Sequence, residues 1–199
     1  VIDQSTGEVK AIVGGRGDKT ASKTLNRATD TTRQPGSTFK ILASYSAALD
    51  AGGLTLASVQ DDAPYTYAGA NGKSVSNYDK RYRGFTTLRE AITDSINIVT
   101  VKTLAQVGVS LGWQYVQEYG FTTVDSRDMN EALALGGITQ GVSNLELTAA
   151  YAAIANQGTY IKPKFYTKIL DHDGNVLIDN THLGYGISII TMLSEGEKS

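Results

Sequence analysis

The residue types that this sequence lacks exclude several kinds of site. It contains no cysteine, which rules out disulfide bonds, a thiol nucleophile and any zinc site built on cysteine. It contains only two histidines, His172 and His182, and both lie in polar, loop-like sequence. A Ser-His-Asp triad would have to use one of these two, and histidine-rich metal sites are disfavoured for the same reason. A catalytic nucleophile and its base are therefore expected among other side chains.

Long apolar runs and a strong charge of either sign are also absent. No stretch reaches the length of a transmembrane helix, and no signal peptide is visible. A net charge of −2 gives no basis for nucleic-acid binding. The 199 residues, 41% hydrophobic and 19% charged, are typical of one globular domain. Because the sequence opens on Val1-Ile2-Asp3 without methionine, we interpret it as a piece of a longer protein.

The most informative stretch is Ser37-Thr38-Phe39-Lys40, which follows Gln34-Pro35-Gly36. A serine hydroxyl needs a base within hydrogen-bond reach to act as a nucleophile near neutral pH. Three residues along a helix return to the same face, so Ser37 and Lys40 are predicted to lie side by side. The helix N-terminus beneath Ser37 would favour negative charge. By itself, the tetrapeptide also fits an exposed helix start with a surface lysine.

A second motif, Ser95-Ile96-Asn97, favours the catalytic interpretation. Ser-x-x-Lys and Ser-x-Asn each occur once in this chain, in that order. The same pair, followed by Lys-Thr-Gly, is found in penicillin-binding proteins and class A β-lactamases. Candidate catalytic residues are therefore Ser37, Lys40, Ser95 and Asn97.

The sequence pattern predicts helices and hairpins around these motifs. Each predicted helix has an apolar stripe or a capping box, and glycine follows most of these helices. The predicted helices are residues 38–50, a short helix from Thr87 to near Ser95, and residues 98–107, 110–119 and 143–156. The β-branched residues of 98–107 leave a strand as an alternative. Two hairpins are predicted, Val1–Asp3 with Val9–Val13 and Phe165–Leu170 with Asn175–Asp179.

Residues 60–84 have little periodicity and read as a long surface segment. Its tyrosines, Tyr65, Tyr67, Tyr78 and Tyr82, either line a groove or pack the segment onto the core. We expect packing onto the core.

Beyond the two short motifs, the chain resembles the first part of the transpeptidase domain of class A, bifunctional penicillin-binding proteins. The similarity is collinear over about the first 180 residues. The segments that carry it are Ile2-Asp3, Thr6-Gly7-Glu8-Val9, Val13-Gly14-Gly15, Asn26-Arg27-Ala28, Arg33-Gln34-Pro35-Gly36-Ser37-Thr38-Phe39-Lys40, Leu88-Arg89-Glu90-Ala91, Ser95-Ile96-Asn97, Leu135-Gly136-Gly137, Gly141-Val142-Ser143, Ala149-Ala150-Tyr151-Ala152, Ala155-Asn156 and Gly158.

The resemblance implies a fold and an incomplete domain. The expected fold is α/β, of the type shared by penicillin-binding proteins and serine β-lactamases, with an antiparallel sheet, flanking helices and a helical subdomain. The family's Lys-Thr/Ser-Gly motif is absent unless Lys198-Ser199 begins it, which the preceding polar residues disfavour. We therefore expect residues 1–199 to be a single, incomplete transpeptidase domain with its C-terminal strands missing.

The resemblance also implies a reaction, a D,D-transpeptidation that cross-links peptidoglycan stem peptides ending in D-Ala-D-Ala. Ser37 would be the nucleophile, Lys40 its base, Ser95 a proton relay, and Asn97 a hydrogen-bond partner of Lys40 and of the substrate amide. β-Lactam antibiotics would acylate the same Ser37. No metal or organic cofactor is implied, and nucleic acid is not an expected partner.

The parent protein would carry a membrane anchor and a glycosyltransferase domain, and it would work on the extracytoplasmic face of the bacterial cytoplasmic membrane. Three alternatives remain open at this point. One is a D,D-carboxypeptidase or serine β-lactamase, which needs a glutamate to activate water that we do not identify in the sequence. Another is a catalytically incomplete fragment with a structural or binding role. The third is a β-lactam sensor.

Overall fold

A computed structural model describes residues 1–18, 20–68, 73–181 and 187–188. The α-helices of these residues are α1 Ser46–Asp50, α2 Leu88–Thr93, α3 Asn97–Val107, α4 Val109–Glu118 and α5 Asn144–Ala155. Other helical turns are 3₁₀ at Gly36–Thr38, Ser126–Asp128 and Glu131–Leu135 and π-helical at Ile41–Tyr45. Within the described ranges, no helix combines the length and apolar character needed to cross a bilayer.

The described strands are short and pair two by two. They are β1 Thr32–Arg33, β2 Val59–Asp62, β3 Tyr65–Thr66, β4 Ser74–Val75, β5 Gly84–Thr87, β6 Val142–Ser143, β7 Thr159–Tyr160, β8 Lys168–Leu170, β9 Val176–Asp179 and β10 Ile187–Ser188. The pairs are β1 with β6, β2 with β5, β3 with β4, β7 with β10 and β8 with β9, all antiparallel. An α/β chain with antiparallel pairing is what the family resemblance implies.

The chain forms two compact units. The first comprises Val1–Arg33, Glu118–Phe121 and Val142–Ser199, and the second comprises Gln34–Gln117 and Thr122–Gly141. All four candidate catalytic residues belong to the second unit.

In the first unit, the predicted N-terminal hairpin is only partly regular. Ile2 pairs with Val9 in one antiparallel bridge, and the Asp3 N–H donates to the Glu8 carbonyl at 2.9 Å. The extended strand predicted over Val9–Val13 is wrong beyond Val9, and Val13 is exposed. The turn is therefore held by a few backbone bonds and not by a ladder.

The second hairpin of this unit and its helix agree with the sequence pattern. The β8–β9 hairpin turns at Gly174, whose φ of +85° suits glycine. Helix α5 begins with the predicted capping box: the Ser143 hydroxyl accepts from the Glu146 N–H, and the Glu146 carboxylate accepts from the Ser143 N–H. Both predictions are confirmed, with the β8 strand starting later than expected.

In the second unit, α2 and α3 form a buried corner next to the catalytic motifs. The Thr87–Glu90 capping box that the sequence predicts starts α2. Tyr45, Leu88, Ala91, Ile96 and Val99 pack together in the core of this corner. Residues 97–107 are helical, so the alternative strand is wrong; most of the residues of α3 are buried, which explains their apolar, β-branched composition.

The tyrosines of residues 60–84 divide into two groups. The Tyr65 hydroxyl donates to the Glu131 carboxylate at 2.9 Å, and Tyr67 is half-buried, as packing onto the core requires. Tyr78 and Tyr82 are instead exposed, at 98% and 55%. The packing expectation is wrong for these two: Asn77 is the buried residue of this turn, and the side chains of Tyr78 and Tyr82 are left in solvent.

Candidate active site

Ser37 lies at the exposed start of a continuous helical segment, residues 36–50, which we call the Ser37 helix. Gly36 makes the turn into this segment with a φ of +57°. Two hydrogen bonds tie the preceding Gln34 to Ile138, one from the Ile138 N–H at 2.9 Å and one from the Gln34 amide to the Ile138 carbonyl. Phe39 is fully buried and fixes the first turn, which leaves the Ser37 side chain exposed.

The middle of the Ser37 helix is π-helical over Ile41–Tyr45. The Ser46 hydroxyl donates to the Ile41 carbonyl, five residues back, at 2.8 Å. Two further bonds join this turn to α3, from the Ser44 hydroxyl to the Thr100 carbonyl and between the Tyr45 and Thr100 hydroxyls. Such wide turns occur frequently at functional sites, and here the turn follows Lys40 directly.

Lys40 is buried, with 3% exposure, one turn below Ser37. Its Nζ contacts three acceptors: the Ser95 carbonyl at 2.6 Å, the Ser95 hydroxyl at 2.9 Å and the Asn97 Oδ1 at 2.6 Å. Three of the four candidate residues thus meet at one nitrogen, and the contact expected between Lys40 and Asn97 is present.

Burial lowers the pKa of Lys40 to about 8, because removing an ammonium from water disfavours its charged form. The three acceptors oppose this effect, since they stabilise the ammonium. A pKa near 8 leaves about a tenth of the amine neutral at pH 7. Lys40 is therefore within reach of the neutral state that a general base needs.

Ser95 reaches Lys40 through an unusual backbone conformation. It lies in the turn between α2 and α3 with a φ of +54°, a left-handed value that is uncommon outside glycine. The neighbouring Ile96 is fully buried, and its N–H donates to the Ala91 carbonyl at 2.9 Å. With the turn fixed in this way, the Ser95 carbonyl and hydroxyl both face the same amine.

Asn97 is the first residue of α3, and its amide has a partner on each side. Its Oδ1 accepts from Lys40, and its Nδ2 donates to the Ser76 carbonyl at 2.9 Å. This pair of partners fixes which end of the amide faces the lysine.

Ser37, Ser95 and Asn97 line one groove of about 620 Å³. Its other lining residues come from the turn after β4 and from the end of α2: Ser76, Asn77, Tyr78, Lys80 and Asp94. Among the described residues, the Ser37 hydroxyl has no hydrogen-bond partner, so the Ser37–Lys40 bond expected from the sequence is not formed in this structure. Catalytic hydrogen bonds often form only when substrate is bound.

The residues that the sequence analysis missed belong to this turn. Ser76 and Asn77 lie in a stretch without periodicity, about 20 positions before the Ser-x-Asn motif. No short motif marks them, and only the tertiary structure brings them to Asn97. Within the part of the chain that the structure describes, no three histidine or acidic side chains come together as metal ligands.

Comparison with known proteins identifies the family. The family model described as "Penicillin binding protein transpeptidase domain" matches residues 1–185. The chain belongs to this transpeptidase family. The resemblance inferred from the motifs is thereby confirmed, while the possible third motif at Lys198-Ser199 lies outside the described residues.

Relatives of this transpeptidase chain are much longer than the chain itself. It is 42% identical over 183 residues to penicillin-binding protein 1F of Bacillus subtilis, a match that covers 92% of this chain and 24% of the relative. Penicillin-binding protein 1A of Clostridium botulinum is 37% identical over 189 residues, covering 90% of this chain and 23% of the relative. The chain thus spans about a quarter of the length of these curated relatives.

A solved structure supports the fold assignment for this transpeptidase chain. Penicillin-binding protein 1A of Haemophilus influenzae has a TM-score of 0.67 at 33% identity, covering 79% of this chain and 23% of that one. The α/β class predicted from the resemblance is confirmed.

Proposed function

We propose that the protein is a serine D,D-transpeptidase that cross-links peptidoglycan stem peptides through an acyl-enzyme on Ser37. The observation that carries the proposal is the environment of Lys40, a buried amine with a pKa near 8 that contacts Ser95 and Asn97 beside the groove of Ser37. Membership of the transpeptidase family supports the same reaction.

In the proposed acylation, the Ser37 oxygen attacks the carbonyl of the penultimate D-alanine. Neutral Lys40 takes the Ser37 proton, an assistance that typically contributes ~10²–10⁴-fold to the rate. The Ser95 hydroxyl, 2.9 Å from the Lys40 amine, relays a proton to the leaving terminal D-alanine as the peptide bond breaks. An amine of a second stem peptide then attacks the ester, forms the cross-link and restores the Ser37 hydroxyl.

The proposed roles of the other groups follow from their positions. Asn97 holds Lys40 through its Oδ1 and lies in the groove, where it is available to the substrate amide. The Ser37 N–H lies in the first helical turn, where backbone donors lack intrahelical partners, and it would stabilise the oxyanion. The second oxyanion donor is not identified among the described residues.

A β-lactam would acylate Ser37 in the same way, since its strained amide mimics D-Ala-D-Ala. We further propose that both compact units belong to one transpeptidase domain, because the family match spans residues of both. The relatives' greater length supports a parent with a glycosyltransferase domain and a membrane anchor, working outside the cytoplasmic membrane.

The nucleophile is tested by covalent labelling of the full-length protein with a fluorescent penicillin. We expect Ser37→Ala to abolish labelling because the ester-forming hydroxyl is removed. Ser110→Ala is the matched control, since Ser110 is also an exposed serine near a helix start but lies outside the groove residues, and it should label like the wild type. Labelling that persists in Ser37→Ala would refute the assignment.

A further inference from the structure

We propose that Asn77 is a positioning residue for this reaction: it fixes the Ser76 carbonyl, which orients the Asn97 amide toward Lys40. The inference rests on the proposed function and adds a residue that lies outside both catalytic motifs. Asn77 binds a buried carboxylate, Asp62, that has no role in the proposed mechanism.

Asn77 is buried at 3% exposure, and both ends of its side chain have partners. The Nδ2 donates to the two Asp62 carboxylate oxygens at 2.8 and 3.0 Å and to the Arg81 carbonyl at 2.8 Å. The Oδ1 accepts from the Ile98 N–H at 3.1 Å. A carboxylate accepts and an N–H donates, so only one orientation of the Asn77 amide satisfies both ends.

Asp62 is the anchor of this arrangement. Its side chain is fully buried, a costly location for a carboxylate unless it is paired. Besides Asn77, it accepts from the Arg83 N–H at 3.0 Å, and the Arg83 guanidinium is 3.8 Å away. The same guanidinium also forms ion pairs with Asp79 at 2.9 Å and with Asp94 at 3.9 Å.

The connection from Asn77 to the catalytic motif is short. Asn77 binds the Ile98 N–H in the first turn of α3, where helix N–H groups otherwise lack partners. Its neighbour Ser76 presents a carbonyl to the Asn97 Nδ2 at 2.9 Å. The consecutive residues Ser76 and Asn77 therefore accept hydrogen bonds from two consecutive residues of α3.

This arrangement decides the orientation of the Asn97 amide. With the Nδ2 on the Ser76 carbonyl, the Oδ1 faces the Lys40 amine at 2.6 Å. A flipped amide would place an NH₂ group against the Lys40 ammonium, the main form at neutral pH, and a carbonyl oxygen against the Ser76 carbonyl oxygen, so both contacts would be repulsive. If the Ser76 carbonyl is displaced, the Asn97 amide no longer prefers one orientation, and Lys40 loses a fixed acceptor.

The test is a double-mutant cycle in the full-length protein, with the second-order rate constant of acylation by a fluorescent penicillin as the readout. Asn77→Ala should lower this constant on the order of 10²-fold, as displacements of a catalytic group do. If Asn77 acts through Asn97, the same change made in an Asn97→Ala background should alter the constant by less than about threefold. Losses that multiply across the two sites would overturn the proposal.

Asp62→Asn serves as a second variant if Asn77→Ala does not fold, since it keeps the shape of the buried side chain. A loss present in the wild-type background and absent in Asn97→Ala supports the proposal, and an equal loss in both backgrounds overturns it.

Glu131→Ala is the control for a general loss of stability. Its carboxylate is buried and binds the Tyr65 hydroxyl and the Ala68 N–H, both at 2.9 Å, without contacting Asn97. It should lower the melting temperature and leave acylation within about threefold of wild type. A loss of acylation as large as that of Asn77→Ala would show that stability, and not positioning, is responsible.

The two proposals fail in different ways. Absence of labelling at Ser37 in the wild type contradicts the proposed function. Normal labelling with multiplicative losses in the cycle contradicts only the role of Asn77.

Discussion

The ionisable amine of Lys40 belongs to a buried residue, only 3% of whose surface is exposed. Burial disfavours its ammonium form and lowers the pKa to about 8. Acceptors on Ser95 and Asn97 contact the same nitrogen and stabilise its charged form. The free-energy cost of holding the amine there at neutral pH is about 3 kcal/mol. Active sites commonly hold groups whose pKa has been moved toward the working pH.

The pH dependence of acylation follows from this pKa. Under the proposed mechanism only the neutral amine accepts the Ser37 proton, so the acylation rate should rise about tenfold per pH unit below pH 8 and level off above it. The measurement is the rate of penicillin labelling from pH 6 to pH 9.5. A rate that is flat across this range would contradict Lys40 as the base.

Lys40 should also leave a signature in stability. Its folded-state pKa of about 8 lies below the ordinary lysine pKa of 10.5, so between these values the unfolded chain binds more protons than the folded one. The contribution of this group to the free energy of unfolding is lowest below pH 8 and rises toward pH 10. Comparison of wild type with Lys40→Met by denaturant titration at pH 7.5 and pH 9.5 isolates it, because other groups change equally in both. An identical pH dependence in the two proteins would contradict the lowered pKa.

At the scale of elements, the start of the Ser37 helix depends on a loop about 100 residues later. The backbone of Gly136 packs directly on Gly36: a Cβ added at Gly136 would lie 2.6 Å from the Gly36 carbonyl oxygen and 2.7 Å from its nitrogen. The Gln34–Ile138 bonds hold the same two segments together. This loop, and not helix propensity, therefore fixes where Ser37 stands.

Gly136→Ala should displace the start of the Ser37 helix and slow acylation by at least about tenfold, since an ångström-scale shift of the nucleophile is costly. Gly53→Ala is the matched control. Gly53 has a φ of +71°, against +72° at Gly136, but an added Cβ there meets nothing within 4 Å. Both variants should lose about 1–2 kcal/mol of stability from left-handed strain, so the difference in labelling rate reports the contact alone. Equal labelling rates in the two variants would show that the contact has no role.

At the scale of the whole molecule, the family match covers residues 1–185 and so spans residues of both compact units. The alternatives to transpeptidation differ in what removes the acyl group, because a β-lactamase or a carboxypeptidase needs a base for water. Among the described residues that line the groove, Asp94 is the one carboxylate, and its Oδ2 is 3.9 Å from the Arg83 Nε. Under the proposed mechanism, this favours an acyl-enzyme that persists until an amine attacks it.

The penicilloyl-enzyme of the full-length protein should therefore persist after excess label is removed. The measurement is a chase with unlabelled penicillin followed by gel fluorescence over hours. Loss of label within minutes, with release of hydrolysed penicillin, would favour the β-lactamase alternative.

The sequence determined the local features of this protein. Capping boxes at Thr87 and Ser143 start their helices where the pattern predicts, because the donors and acceptors involved are only three residues apart. The Ser-x-x-Lys and Ser-x-Asn motifs were sufficient to name all four candidate residues. Hydrophobic periodicity gave the helix over 38–50 but not its π-helical turn, which depends on a bond from Ser46 and contacts with α3.

The tertiary structure alone decided the surroundings of these residues. Nothing in the pattern of residues 60–84 distinguishes Asn77 from other polar loop residues, nor Asp62 as a fully buried carboxylate. Gly136 lies in a segment that carries the family resemblance, but the sequence does not show that it packs on Gly36, 100 positions away. Sequence motifs carry interactions that close within a few residues, whereas the orientation of Asn97 and the pKa of Lys40 arise from burial and from hydrogen bonds between distant segments. Burial and these long-range hydrogen bonds exist only once the chain has folded.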